Sequence, residues 1–189
     1  MFLNNSEIRS KSKKDLSGRW GLGVLITFVY MIFSTIFIYI PVIGPSLLIP
    51  PILLGFTKCF MGISEKKEVE VKEIFSGFSN FGRIVWTNIL IGFYIVMWFI
   101  LLIVPGIIAI YKYAMTFYII NDNSNMKANE AIAESKRIMD GHKFRLFQLE
   151  FSLIGWALLS ILTLGIGFMW FIPYRSVAVA NFYQGIKES

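Results

Sequence analysis

The sequence predicts an all-α protein that crosses a membrane several times. Its 189 residues are 56% hydrophobic and only 16% charged, against roughly 25% charged residues in ordinary soluble domains. The apolar residues form runs of about twenty, the length that a helix needs to cross the hydrocarbon core of a bilayer. A soluble fold of this size would have too few charges to cover so much apolar surface. We therefore expect one polytopic membrane domain over residues 1–189.

Six segments qualify as membrane spans. The first and the third contain no charged residue, whereas the fourth is short and the sixth holds Pro173 and Arg175. A basic stretch, 1–19, precedes the first span, but no small-residue cleavage site follows, so we expect an uncleaved span rather than a signal peptide. The alternative is five spans, with the end of the chain on the membrane surface. The predicted spans are 20–40, 46–63, 84–104, 107–120, 146–164 and 168–186.

Proline and glycine divide these spans into three helical hairpins. Both residue types end helices and allow tight turns, and none of the three short connections carries a charge. The predicted turn residues are, in chain order, Pro41 and Pro45, Pro105 and Gly106, and Gly165 and Gly167.

The basic residues predict the orientation of the chain. Segments 1–19, 64–83 and 121–145 hold five, four and five Lys or Arg residues, and the three turns hold none. Positive residues collect on the cytoplasmic side of a membrane, so we expect both termini and both long connections inside. The net charge of +6 then suits the anionic inner leaflet. Nucleic acid is not an expected partner, because the basic residues are divided among separate connections.

Two connections are predicted to form amphipathic helices at the inner interface. In 126–139, Ala128, Ala131, Ile132 and Met139 share one face, with Ser124 or Asn125 as the N-cap and Gly141 at the end. Residues 65–75 form a second candidate, with apolar residues at Val69, Val71, Ile74 and Phe75.

Several kinds of chemistry are not expected. The chain has one cysteine, Cys59, and one histidine, His142, which excludes an intrachain disulfide and a cysteine- or histidine-rich metal site. The nucleophile-elbow, zinc-protease, P-loop and dinucleotide-binding motifs are missing. We expect a protein that is not an enzyme and needs no cofactor; the alternative is a membrane enzyme that acts on lipid.

Ionisable residues inside spans are the best functional clues, because each is costly in hydrocarbon. Lys58 and Glu150 are predicted at similar depth near the inner leaflet, where they could form an ion pair. Alternatively, Lys58 reaches the inner surface alone.

Lys112 and Arg175 are predicted nearer the outer turns, at a depth where no span offers a carboxylate. Their expected partners are the hydroxyls of Tyr111, Tyr113 and Tyr174, a backbone carbonyl freed by Pro173, water, or an anion. Alternatively, the sixth span is short and Arg175 already lies at the inner interface.

Several short segments from Pro105 onward form a series that is similar to one known family. They are the Pro-Gly-Ile step at 105–107, Tyr113-Ala114-Met115, the Ser-Lys-Arg-Ile-Met-Asp-Gly segment at 135–141, Phe147-Gln148-Leu149, Ile154-Gly155-Trp156, 162–167, Pro173-Tyr174 and Ala180-Asn181-Phe182-Tyr183. Through these segments the sequence resembles the bacterial integral membrane family known as domain of unknown function 975, over the whole chain and most specifically from Pro105 onward. The resemblance implies a multipass protein of the bacterial plasma membrane. The segments at 105–107 and 135–141 also resemble the membrane domains of some glycerophosphodiester phosphodiesterases. This chain carries no hydrolase domain, so that activity is not implied.

Two functions fit these observations. The first is non-enzymatic binding of a lipid, a membrane-active peptide or another membrane protein, with a role in peptide resistance or immunity as one form of it. The second is a small transporter, or a subunit of one, for an anionic substrate, based on the hairpins broken by proline and glycine and on unpaired Lys112 and Arg175. A transport path would need a homo-oligomer, because 189 residues are few to enclose one.

Overall fold

The computed structural model describes residues 4–41 and 43–187, and these fold into helices joined by short connections. A π-helical segment, Gly44–Leu48, precedes α3, and a 3₁₀-helical segment, Val71–Asn80, precedes α4. The α-helices are α1 (Asn5–Leu16), α2 (Trp20–Ile38), α3 (Ile49–Ser64), α4 (Phe81–Leu101), α5 (Ile103–Tyr113), α6 (Thr116–Asp122), α7 (Ala128–Ile138), α8 (Lys143–Ser152), α9 (Ile154–Leu162) and α10 (Phe168–Lys187). The prediction of an all-α protein is confirmed.

Among the described residues, five helical segments are long and apolar enough to cross a membrane, as expected of a membrane protein. They correspond to the first five predicted spans. The sixth predicted span exists as α10, but α10 is not among the five, so the count of six stays a prediction. The five segments are Trp20–Ile38, Gly44–Ser64, Val71–Ile100, Ile103–Asp122 and Lys143–Leu162.

The core lies around α3, α6 and the second half of α10. Every residue of 176–183 is buried, and the small side chains of Ala178 and Ala180 allow neighbouring helices to approach closely. In contrast, α2, α4 and α9 expose many large apolar side chains, among them Ile36, Phe93 and Leu158. Such exposure suits contact with lipid rather than with water.

The 3₁₀-helical segment packs directly on α3. A side chain at Gly55 would overlap the Ile74 carbonyl, and one at Gly77 would overlap the Pro51 carbonyl. The predicted bounds of the helix at 65–75 are therefore wrong, because the helix begins at Val71 and continues to Asn80. Its residue Ile74 is buried against the protein, and the location at the inner interface stays a prediction.

Two of the predicted turn residues lie inside a helix. The chain turns at Leu102, whose backbone is extended, and Pro105 and Gly106 belong to the first turn of α5. Proline is tolerated there because the first amides of a helix have no intrahelical acceptor. Gly106 lies against the ring of Phe99, with no room for a side chain. It therefore allows α5 to pack closely on α4.

The other two turns contain the predicted residues. Pro41 follows the end of α2, and Pro45 lies in the first turn of the π-helical segment. Gly165 has a φ of +90°, a conformation that favours glycine. The amide of Gly167 donates to Thr163 Oγ1 over 2.9 Å, which closes the connection between α9 and α10.

Helix α7 confirms the predicted face but not the predicted cap. Ala128, Ala131 and Ile132 are buried together against the protein. The N-cap is Lys127, whose amide donates to the Glu130 carboxylate over 3.0 Å. Neither Ser124 nor Asn125 caps the helix, because the helix begins at Ala128, two residues after its predicted start at 126. Gly141 has a φ of +75° beyond its end, as expected.

Candidate functional site

Glu150 and Arg175 form an ion pair between α8 and α10. The hydroxyl of Tyr111, on α5, donates to the second oxygen of the Glu150 carboxylate over 3.1 Å. Three helices thus bring one anion, one cation and one hydroxyl together. The expectation that no carboxylate reaches Arg175 is wrong. That expectation estimated the depth of Glu150 in the membrane along one continuous helix over 146–164. In the structure, this helix is interrupted at Leu153.

A cavity of about 200 Å³ adjoins this ion pair and is open on one side. Glu150 and Arg175 contribute to its wall, and the hydroxyl residues Thr57 and Ser176 provide further polarity. The rest of the wall is mainly apolar or aromatic, formed by Leu53, Phe56, Ala114, Phe117, Tyr118, Leu146 and Val179. A small molecule with one polar end suits such a space.

Lys58 and Lys112 lie elsewhere. Lys58 forms an ion pair of 3.0 Å with Glu73 of the 3₁₀-helical segment, so the first of its two alternatives, a pair with Glu150, is wrong. The reason is that the segment after α3 folds back and offers its own carboxylate. The ammonium of Lys112 lies 5.7 Å from the centre of the Trp98 ring, a cation–π contact that the prediction did not include.

Tyr113 and Tyr174 also lie in separate places. Tyr113 stacks on Tyr94 at 5.9 Å between ring centres, and the Lys136 ammonium lies within 5.8 Å of both rings. Tyr174 donates to the Arg9 carbonyl over 3.4 Å. Neither hydroxyl bonds to Lys112 or Arg175 among the described residues. The structure therefore divides the predicted polar site into separate groups.

Tyr174 belongs to a larger cleft of about 390 Å³ between α1, α2, α9 and α10. The Lys13 ammonium lies 5.6 Å from the Trp156 ring and 5.9 Å from the Tyr174 ring, and these two rings meet edge to face at 6.3 Å. The remaining lining residues are Trp20, Leu159, Ser160, Thr163, Gly167, Trp170 and Phe171. Three of the five tryptophans of the chain thus surround one cleft.

Lys13 is the one charged residue of this cleft within the described chain. None of the ion pairs between described residues includes it, so its contacts there are the faces of aromatic rings. An ammonium group held this way keeps donors available for an anion. The arrangement can bind a molecule that has one negative group and a long apolar part.

Helix α1 places Lys13 at the cleft. Asn4 caps the helix by accepting from the Glu7 amide over 2.9 Å. Ile8 and Leu16 are buried on one face. On the same face, Asn181 donates to the Asp15 carboxylate over 2.9 Å and to Ser12 Oγ over 3.2 Å. These contacts attach α1 to α10 and turn Lys13 towards Trp156.

Sequence reasoning missed Lys13, Trp20, Trp156 and Trp170 as residues of a site. The segment 1–19 was expected to be only a basic cytoplasmic stretch. Its helix has a signal, the Asn4-x-x-Glu7 capping pattern followed by Ile8, Ser12 and Leu16 at helical spacing. The tryptophans are far apart in sequence, and no spacing rule brings them together.

The described residues offer no group of three or more histidine, cysteine, aspartate or glutamate side chains that could hold a metal ion. Charges in the two spaces are limited to Lys13 in one and the Glu150–Arg175 pair in the other. What these spaces can do is bind molecules through charge, hydrogen bonds and apolar contact.

Comparison with known proteins gives one match. A family model described as a protein of unknown function, DUF975, matches residues 1–112 and 97–189, which together cover the whole chain. No curated protein and no solved structure matches.

Proposed function

The chain belongs to the DUF975 family of proteins of unknown function, and from the geometry of its cleft we propose that it binds an anionic membrane lipid without catalysing a reaction. The observation that carries this proposal is the Lys13 ammonium at an apolar, tryptophan-lined cleft, with no carboxylate partner among the described residues. A phosphate on the lipid headgroup supplies that partner.

The proposed binding mode divides the lipid between two environments. Its headgroup phosphate accepts from Lys13, while Trp20 lies near the glycerol region, where tryptophan is enriched in membrane proteins. Part of an acyl chain lies along Leu159, Trp170 and Phe171. A cleft of about 390 Å³ holds only a segment of one chain, so the rest of the lipid stays in the bilayer.

The proposal includes an orientation in the plasma membrane. Both termini and the two long basic connections face the cytoplasm, and α10 forms the sixth span. The support is the distribution of Lys and Arg, which are absent from the three short connections.

The transporter alternative loses part of its basis. It rested on Lys112 and Arg175 being unpaired, whereas Arg175 is paired with Glu150 and Lys112 lies on Trp98. A membrane-active peptide or a membrane protein partner, a homo-oligomer included, stays an alternative occupant of the exposed apolar surface. The similarity to the membrane domains of glycerophosphodiester phosphodiesterases also stays a prediction.

The lipid-binding proposal is tested by Lys13→Gln. The purified chain in detergent is titrated with phosphatidylglycerol or phosphatidylcholine, and bound lipid is counted by native mass spectrometry. We expect the variant to bind phosphatidylglycerol about tenfold more weakly, since a charge-assisted hydrogen bond contributes ~1.5 kcal/mol. Phosphatidylcholine binding should change less.

The matched control is Lys14→Gln, which removes the same charge from the next residue of α1, outside the cleft. It should leave phosphatidylglycerol binding close to that of the wild type. Equal losses in both variants would show that net charge alone attracts the lipid, and this result would contradict a specific site.

A further inference from the structure

We propose that the cavity beside Glu150 and Arg175 binds a small monocarboxylate together with one proton. This site is distinct from the lipid cleft. Tyr174 and Arg175 are consecutive on α10, yet Tyr174 lines the cleft and Arg175 lines the cavity. The inference does not depend on the lipid proposal.

The anion partner is Arg175. A guanidinium group has five N–H donors, and within the described residues its hydrogen bond goes to one oxygen of Glu150. The group therefore keeps donors free at the cavity wall. A carboxylate matches the planar donor pair of arginine better than other singly charged anions do.

The size and lining of the cavity indicate what kind of group the ligand carries beside its carboxylate. Its volume is about 200 Å³, and an apolar protein cavity of about 150 Å³ can hold benzene. Leu53, Phe56 and Phe117 supply apolar contact for a short hydrocarbon tail. These features fit a monocarboxylate of a few carbon atoms.

The proton follows from charge balance. With Glu150 ionised, the pair is neutral, and the carboxylate of a ligand would add an uncompensated negative charge to the site. Protonation of Glu150 removes the charge that holds Arg175, and the carboxylate of the ligand takes its place. One proton and one anion enter together, so the net charge of the site is unchanged.

The groups that face Glu150 are consistent with this exchange. Arg175 approaches from α10, Tyr111 donates from α5, and Tyr118 lies on the wall from α6. The α3 wall contributes no titratable group. Arg9 of α1 donates to the Ser152 carbonyl at the end of the same helix. Tyr111 can keep its hydrogen bond to Glu150 in either protonation state, because a carboxylic acid still accepts.

The test measures butyrate binding to the purified full-length chain in detergent by calorimetry, at about pH 5.5 and about pH 8. We expect the wild type to bind at least about tenfold more tightly at the lower pH. Glu150→Gln imitates the protonated carboxyl, so this variant should bind tightly at both pH values. Butyramide, which has the same shape but no charge, should not bind.

Three further variants complete the test. Arg175→Gln should abolish binding, and Arg175→Lys should weaken it because lysine lacks the paired donors. Lys13→Gln should bind butyrate normally, which separates this site from the cleft. If Arg175→Gln does not fold, the wild-type pH dependence and Glu150→Gln decide the question. Equal wild-type affinity at both pH values, or no gain in Glu150→Gln, would overturn the proposal.

Discussion

Tyr174 and Arg175 are consecutive residues of α10 that line two different spaces, the cleft and the cavity. Consecutive residues of a helix point in directions about 100° apart, so the two side chains enter different spaces. Their neighbour Pro173 packs against Gly23 of α2, which has no side chain to hold the helices apart. Each residue was predicted as part of one polar site, but only the fold shows that the two belong to two sites.

His142 gives a prediction at the residue scale. Partial burial, and secondarily the positive charge of Arg145, lower the pKa of its imidazole below the ordinary value near 6.5. The unfolded chain therefore binds a proton more readily than the folded chain does. We expect the contribution of His142 to stability to be complete above about pH 6.5 and to be lost as the pH falls through the folded pKa.

The measurement is direct, because the chain has a single histidine. A proton NMR titration of its ring in detergent should give a midpoint below 6.5. Arg145→Gln should move that midpoint only part of the way back, since burial is the larger cause. A wild-type midpoint at or above 6.5 would contradict the prediction.

At the scale of elements, glycine decides how closely helices approach. Gly55 and Gly77 let the 3₁₀-helical segment lie directly against the backbone of α3. This contact positions Glu73 to pair with Lys58. The sequence shows the glycines but not their partners, because a close approach is a property of two segments together.

We expect Gly77→Ala to destabilise the protein by about 3 kcal/mol or more, because the new methyl group would overlap the Pro51 carbonyl and the backbone would have to shift. The free energy of unfolding is compared by chemical denaturation in detergent. Gly82→Ala is the control, since no atom of the residues that the structure describes lies within 4 Å of a side chain there. It should be neutral or slightly stabilising, and equal losses in both variants would contradict the packing argument.

At the scale of the whole molecule, a compact buried core adjoins apolar helices with exposed faces. The buried residues cluster in α3, α6 and α10, while α2, α4 and α9 present large apolar side chains outward. In a bilayer, such outward faces contact acyl chains without cost. The proposed orientation places the ends of the hairpins outside the cell and the basic connections inside.

Cysteine labelling of whole cells tests this orientation. In a Cys59→Ala background, Ile166→Cys in the last turn should react with a membrane-impermeant maleimide. Asn125→Cys in the long connection should react only after the membrane is opened. Both positions are exposed in the structure, so accessibility alone does not distinguish them. Reaction of Asn125→Cys in intact cells would contradict the orientation.

The sequence by itself determined the all-α class, the positions of five apolar segments and the face of α7. These follow from the local order of residues, since hydropathy and helical spacing act over one or a few turns. Only the tertiary structure decided that Glu150 pairs with Arg175, that Lys58 pairs with Glu73, and that α1 brings Lys13 to three tryptophans. Such contacts join residues far apart in the chain, and their geometry depends on helix breaks and close approaches that arise when the segments pack together.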